Sequence, residues 1–590
     1  MTAPSPDPLD HPDPRQAADH AATETLLRAY VRETGTPVPP TGQPLHLTLP
    51  ATGLTLTVPV RHHSPTGWHR FGPATLAAPA GETAPPADTA LVAAATLRET
   101  TLGRGQPPHL GADAAARVLT SAHRTAAHLT ARRAEPPGTT APTPFLDAEQ
   151  ALLLGHPFHP APKSREEATH TELDTYSPEL RGSFPLHWFA AHPDIVTGET
   201  LTGTHPADHL HPYTRDLPLP PGTLPLPAHP WQARDILTRP AVRALIDAGL
   251  LHPLGPHGDP WHPTSSLRTV HRPDAAHQLK LSLGMRITNS RRNNLRAEMR
   301  LGVRAARLLN AGPGAWLTAH HPTFTILRDP AWITAGHPDD DTETGLETAL
   351  RDNPFHGSET DALCVAGLLA ERTGPGDGTA PTHRAALAAA VHRTATTHTL
   401  TTAQAANLWL THYLHHLATP LIALHAHHGI ALEPHHQNTL ITLGPDGLPR
   451  AGWYRDSQGY YLTATHADHA ETLLPGITHE TGLVFDDTFV NERVAYYLGI
   501  NNLLGLIGAM GALHLADETD LLATLHTHLT HLRTTHPGAQ DLLDLLLDAP
   551  TLRCKGNYLT CADGLDELVG DVHTQSIYID LPNPIAEAKP

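Results

Sequence analysis

The six residues Gln278-Leu279-Lys280-Leu281-Ser282-Leu283 alternate strictly, which commits the middle of this chain to a strand with two unlike faces. Leu279, Leu281 and Leu283 take one face and a core; Lys280 and Ser282 take the other. The chain carries a formal net charge of −19 and only four lysines, Lys163, Lys280, Lys555 and Lys589. Between Ser265 and Arg300, however, eight Lys/Arg stand against two acids, Asp274 and Glu298. A lysine fixed on a strand inside such an array, beside Ser266, Arg268 and Thr269 and a later Arg291–Arg292 pair, forms a local well for anions. That combination suits a polyphosphate.

The 590 residues imply several lobes, because single cores stop growing at roughly 250–300 residues. Three cysteines, Cys364, Cys554 and Cys561, exclude a disulfide framework and fit a reducing cytosol. With 47 histidines, neighbouring pairs arise by chance and do not by themselves signal metal. The start, MTAPSPDPLDHPDP, has no basic region or apolar core and so no secretory signal. Val494–Leu513 is apolar enough to span a bilayer, but Asn501 and Asn502 fall at its centre, so a Gly-rich buried helix is expected and no membrane partner. The negative charge argues against nucleic acid.

The organisation reads as α/β with mixed α+β character. An N-terminal lobe spans 1–140, with 1–20 expected to be disordered and a helix over Ala112–Arg133. A middle lobe spans 141–400 and holds the basic array, followed by a helix over Asn294–Asn310 whose N-terminus begins just after Arg291 and Arg292. A last lobe spans 401–590, opening with a long helix from Thr401 to His428 closed by Gly429. Then comes GIALEPHHQNTLITLGPDGLPRAGWYRDSQGYYL, read as a hairpin of Thr439–Leu443 and Ala451–Arg455. Such a hairpin brings Asn438 close to Asp456, and with Glu433 these make a hard-oxygen set suited to Mg²⁺ on a nucleotide. Upstream, GHPFHPAPKSREE crowds His156, His159, Lys163 and Arg165 into a proline-stiffened loop able to hold a multiply charged carboxylic acid.

In this order the segments resemble the NRPS-independent siderophore synthetases, the IucA/IucC (aerobactin synthetase) family. GHPFHPAPKSR is similar to that family's HP-x-HP-x-x-K-x-R motif, and AHPWQ (Ala228–Gln232) to its HPWQ element. SLRT with KLSLGMRITNSRR resembles its SxRT…K…ITS-x-x-R pattern, and EPHHQN with YRDSQG its H-x-QN and RD signatures.

The resemblance implies a cupped hand of thumb, fingers and palm, and an enzyme that uses ATP and Mg²⁺ to adenylate citrate or a citrate- or succinate-derived acid. An amine or hydroxylamine then attacks to form an amide, with AMP and pyrophosphate released. It further implies that Ser266, Arg268, Thr269 and Lys280 contact the triphosphate, and that Arg292 bridges phosphate and carboxylate. His435 and Gln437 would line the adenylate site, with His435 a proton acceptor for the amine. Glu433, Asn438 and Asp456 would hold Mg²⁺. His156, His159, Lys163, Arg165 and Lys555 would lie near the carboxylate substrate. A homodimer is consistent with the family, as is a cytoplasmic location.

Two departures stand out: Asn289 where Ser is common, and Cys561 where the segment K-x-N-L-L-T-R ends in Arg. A non-catalytic siderophore- or polycarboxylate-binding protein would show damage to the nucleotide set, which is intact. The last third also resembles ferric-siderophore reductases, whose C-terminal cysteine cluster is absent. Within the ligases, an oligomerising or macrocyclising hydroxamate synthetase remains an alternative.

Overall fold

The computed structural model describes residues 6–79, 82–136, 138–336, 342–357, 362–480, 482–566 and 576–588. Mostly antiparallel sheets and helices alternate along the chain and gather into three large apolar cores.

The expectation of disorder over residues 1–20 is overturned from residue 6 on, residues 1–5 lying outside the described residues. Asp13 caps a helix over Pro14–Thr34, its carboxylate accepting the Arg15 N–H at 2.9 Å, with Pro14 at the first turn. The same acidic stretch is pinned from outside. Asp10 accepts from Arg384 at 2.8 and 2.6 Å, and Asp7 pairs with Arg70 at 3.3 Å. Proline-rich composition hid these caps and ion pairs. Helices Thr89–Gly103 and Pro108–Arg133 and the hairpin Pro44–Leu49/Leu54–His62 complete the first core. A late helix, Asn557–Ala562, also packs into it, with Tyr558 hydrogen-bonded to Thr100 at 2.9 Å.

The middle of the chain forms an eight-stranded sheet. Its strand order is Val196–Thr200, Ala331–Ala335, Thr348–Asp352, His277–Leu281, Thr269–His271, Leu251–Pro263, Phe184–Ala191 and Leu224–Ala228. Lys280 lies between Thr269 and Ala349 in register, while Leu279 and Leu281 enter the core with Trp188, Trp261 and Leu350. The alternation in sequence is thus the alternation of faces. Helix Arg296–Asn310 covers part of the opposite face, where Met299 and Val303 meet Trp332 and Ala349.

In the last region, helix Thr402–Tyr413 runs through a widened turn, Leu414–Ala418, into Thr419–His428 and stops at Gly429, whose φ is +63°. A second long helix covers 487–512, also with a widened central stretch, Ala495–Leu504. It is long and apolar enough to cross a membrane, yet 89% of its apolar window is buried inside the protein. Asn502 in that stretch is 0% exposed and fully engaged. It accepts from the Tyr413 hydroxyl at 2.6 Å and donates to the Pro434 carbonyl at 2.7 Å and to Thr439 at 3.1 Å. A membrane-like helix therefore serves as the platform for the loop 434–439.

Candidate active site

One cavity of about 700 Å³ opens between these parts, and all fifteen residues to which the family resemblance gives a role line it. Eleven Lys/Arg and seven Asp/Glu contribute to its wall, a surplus of four positive charges within a chain of net charge −19. Three of the four lysines, Lys163, Lys280 and Lys555, are among them.

At the centre, Lys280 donates to Asp456 Oδ1 at 2.8 Å and to Gln458 Oε1 at 2.8 Å. Arg351 stands 3.5 Å from the same Asp456 oxygen and grips Asp329 at 2.9 Å. These cations hold the Asp456 carboxyl far below the usual carboxylate range, against the opposing effect of burial. Asp456 has φ +134°, a strained backbone for a non-glycine residue, kept by these pairings. Gln458 accepts from Arg268 at 3.1 Å and donates to Glu298 at 2.6 Å, so one amide ties the strand lysine to the helix Arg296–Asn310.

The turn Ser265–Thr269 is tightened by Ser266, whose hydroxyl accepts the Thr269 N–H at 3.1 Å. Arg268 spends Nη1 on the carbonyls of Arg292 and Asn293 and on Asn294 Oδ1, each at 3.0 Å. Burial and the neighbouring Arg292 lower its pKa to about 10, so it stays charged at neutral pH. The two arginines read together from the sequence separate. Arg292 lines the cavity, whereas Arg291 pairs with Glu167 near the surface.

In the HPFHP loop, His156 and His159 each accept through Nδ1 the backbone N–H two residues on, at 3.1 and 3.0 Å. Proline after each histidine fixes φ for that turn, and His229 of AHPWQ makes the same bond to Trp231 at 3.1 Å. His229 is 0% exposed between Tyr176 and Phe184, a core residue. Arg28 and Asn557 hold the loop by its Pro157 and Phe158 carbonyls, at 3.2 and 3.3 Å. Lys163 and Arg165 share one buried carboxylate, Glu179, with Arg165 at 2.6 Å. The pair therefore presents one net positive charge to the cavity rather than two.

His435 accepts the Gln437 backbone N–H on Nδ1 at 3.2 Å. The proton of its neutral ring then sits on Nε2, and burial lowers its pKa to about 4 despite nearby Asp456. The expected proton acceptor is arranged as a hydrogen-bond donor. His436 turns away to the Asn502 carbonyl at 2.8 Å, in space that Gly505 leaves open, since a Cβ there would come within 2.7 Å of the ring.

Glu433, Asn438 and Asp456, the oxygens expected to hold Mg²⁺, all line the cavity. Burial raises the Glu433 carboxyl, which accepts from the Tyr461 hydroxyl, and Asp456 pushes it further in the same direction. The Asn438 amide nitrogen donates to the Glu433 carbonyl at 3.3 Å, leaving its oxygen as the accepting end. A carboxylate whose ionisation is opposed by burial and by a second acid, beside an amide oxygen, is chemically a hard-oxygen donor set. Among the described residues there is no cluster of three or more His, Cys, Asp or Glu arranged for a metal.

Sequence reading missed Gln458, Arg351 and Glu149, and the contacts by which Asn502 holds the loop 434–439. Gln458 stands two positions after Asp456 and could have been taken with it; Glu149, an acid at the end of the short helix Pro144–Glu149, carries no local signal. Cys561 lies in the first core, 1% exposed and away from the cavity lining.

Residues 144–370 match the IucA/IucC family, and residues 407–569 match a family of FhuF-like ferric iron reductase transporters. The chain is 34% identical to the rhizobactin siderophore biosynthesis protein RhbC of Rhizobium meliloti, with 92% of each covered. It is 31% identical to the spermidine-citrate ligase of Bacillus anthracis, covering 97% of this chain and 98% of that one. The ATP-bound aerobactin synthetase IucA of Klebsiella pneumoniae superposes with a TM-score of 0.84 at 29% identity, covering 96% and 99%.

Proposed function

This chain belongs to the IucA/IucC family of NRPS-independent siderophore synthetases, and from that premise we propose how its cavity carries out the reaction. The enzyme is an acid–amine ligase of siderophore assembly. It uses ATP to activate a carboxylate as its adenylate and joins it to an amine, releasing AMP and pyrophosphate. Citrate or a citryl derivative is the acid, in keeping with relatives named as citrate ligases. Mg²⁺ accompanies ATP, held by Glu433, Asn438 and Asp456, and neutralises phosphate charge when bound.

The observation that carries this reading is the charge surplus of one cavity built around Lys280 and Asp456. Carboxylate attack on a phosphate brings two anions together, so the barrier falls only where fixed cations already face them. Lys280, Arg268 and Arg292 face the triphosphate, with Ser266 and Thr269 supplying hydroxyl groups. Arg292 also reaches the carboxylate. His156, His159, Lys163, Arg165 and Lys555 surround the acid. The His435 Nε2–H donates to an anionic oxygen of the adenylate, and Gln437 lines the same place. The chemistry needs positioning and charge stabilisation rather than a protein nucleophile.

The FhuF-like match favours a reductase as a second reading. Its metal would need a cysteine cluster, whereas Cys364, Cys554 and Cys561 are each buried and free. Citrate-dependent exchange of labelled pyrophosphate into ATP tests the proposal. Exchange with citrate and not with monocarboxylates is expected; none with any di- or tricarboxylate would overturn it. The enzyme acts in the cytoplasm on small molecules, as a homodimer.

A further inference from the structure

Glu149 is 0% exposed and has two different oxygens in use. Its Oε1 lies 2.7 Å from Arg455 Nη2. Its Oε2 accepts twice from Ser265, from the backbone N–H at 2.9 Å and from the hydroxyl at 2.7 Å. A carboxylate paired with arginine can only accept, so the Ser265 hydroxyl proton points at Glu149. The Ser265 oxygen is left with lone pairs, and Gln437, 3.2 Å away, meets it with Nε2 as donor. The Gln437 amide oxygen is thereby turned the other way, on a side chain that lines the cavity. Arg455 steadies the backbone behind it, donating to the Gln437 carbonyl at 3.1 and 2.9 Å.

We propose that Glu149 is a positioning residue which, through Ser265, fixes the Gln437 amide oxygen as a hydrogen-bond acceptor for an N–H group of the bound substrates. The inference rests on the ligase reading above. Two substrates carry such a group: ATP on its exocyclic amino nitrogen, and the amine nucleophile. Without the relay the amide of Gln437 is free to reverse and set N–H against N–H, losing on the order of tenfold in recognition.

Ser265→Ala cuts the relay while leaving the buried Glu149–Arg455 pair, so the variant keeps its fold. Glu149→Gln keeps an acceptor for Ser265 but removes the charge facing Arg455. Citrate-dependent pyrophosphate release is measured with ATP and with purine riboside triphosphate, which lacks the amino group; hydroxylamine is the nucleophile probe. If the donor is ATP, Ser265→Ala brings a wild-type preference of on the order of tenfold close to unity. If the donor is the nucleophile, that preference stands and the KM for hydroxylamine rises about tenfold. Glu149→Gln, which still offers Ser265 an acceptor but no longer holds it by the charge pair with Arg455, moves the same quantity in the same direction by less. An active wild type whose ATP preference and hydroxylamine KM are unmoved in both variants overturns the relay alone. A wild type that releases no pyrophosphate overturns the ligase reading and the relay with it.

Discussion

The ammonium of Lys280 and the carboxylate of Asp456 meet at 2.8 Å, though 176 residues separate them in the chain. The cation assigned to phosphate and the oxygen assigned to metal thus neutralise one another before substrates arrive, with Arg351 close behind. On the proposed function, Lys280 would turn to phosphate and Asp456 to a divalent cation when the nucleotide binds. Lys280→Ala and Asp456→Ala are each expected to cut pyrophosphate release by roughly 100-fold or more, and the double variant by little more than either. Full additivity would show that the two act separately.

Glu179 is the counter-charge for both Lys163 and Arg165 inside the protein. Glu179→Ala leaves two buried cations facing each other, and a loss of about 3–5 kcal/mol is expected in urea unfolding. A change under about 1 kcal/mol would mean that the pair reaches water more freely than its burial indicates.

Glu33 carries the pH dependence most open to measurement. Its carboxylate accepts the N–H groups of Tyr558 and Leu559, both at 2.8 Å, yet burial raises its pKa from 4.5 to about 7. The folded pKa lies above the unfolded one. The stability linked to this group is therefore complete below about pH 4.5 and is lost as pH rises through about 7. Roughly 3 kcal/mol is at stake over that window. The difference in Tm between wild type and Glu33→Gln should shift steadily from pH 5 to 7 and level off above; parallel curves would contradict the assignment.

His435 should behave as a donor. Glutamine can place an N–H near the position of Nε2, so His435→Gln is expected to retain activity within about tenfold, while His435→Ala loses roughly 100-fold. Equal loss in both would restore a proton-accepting role.

Much of this arrangement was legible from residues. The alternation around Lys280 gave its strand and its face, and the Thr439–Leu443 hairpin brought Asn438 toward Asp456 because a turn at 445–447 closes it. What escaped was set by contacts between distant segments. Glu149 meets Ser265 and Arg455, and Asn502 meets Pro434, across 116 or more and 68 positions respectively. Neither contact leaves a local pattern. Composition misled at the N-terminus, where the acids of PDPLDHPDP serve as helix caps and as partners for Arg70 and Arg384. It also misled on Lys163 and Arg165, whose shared partner Glu179 comes from beyond the motif.

The central claim is that this cavity adenylates a polycarboxylate. Its most direct test is pyrophosphate release with Mg·ATP and citrate, trapping the activated acid with hydroxylamine. Citrate-dependent release with an equal yield of citryl hydroxamate, both lost in Lys280→Ala, is the expected result. Folded wild-type protein that binds ATP and yields neither product with citrate or any other polycarboxylate would contradict it.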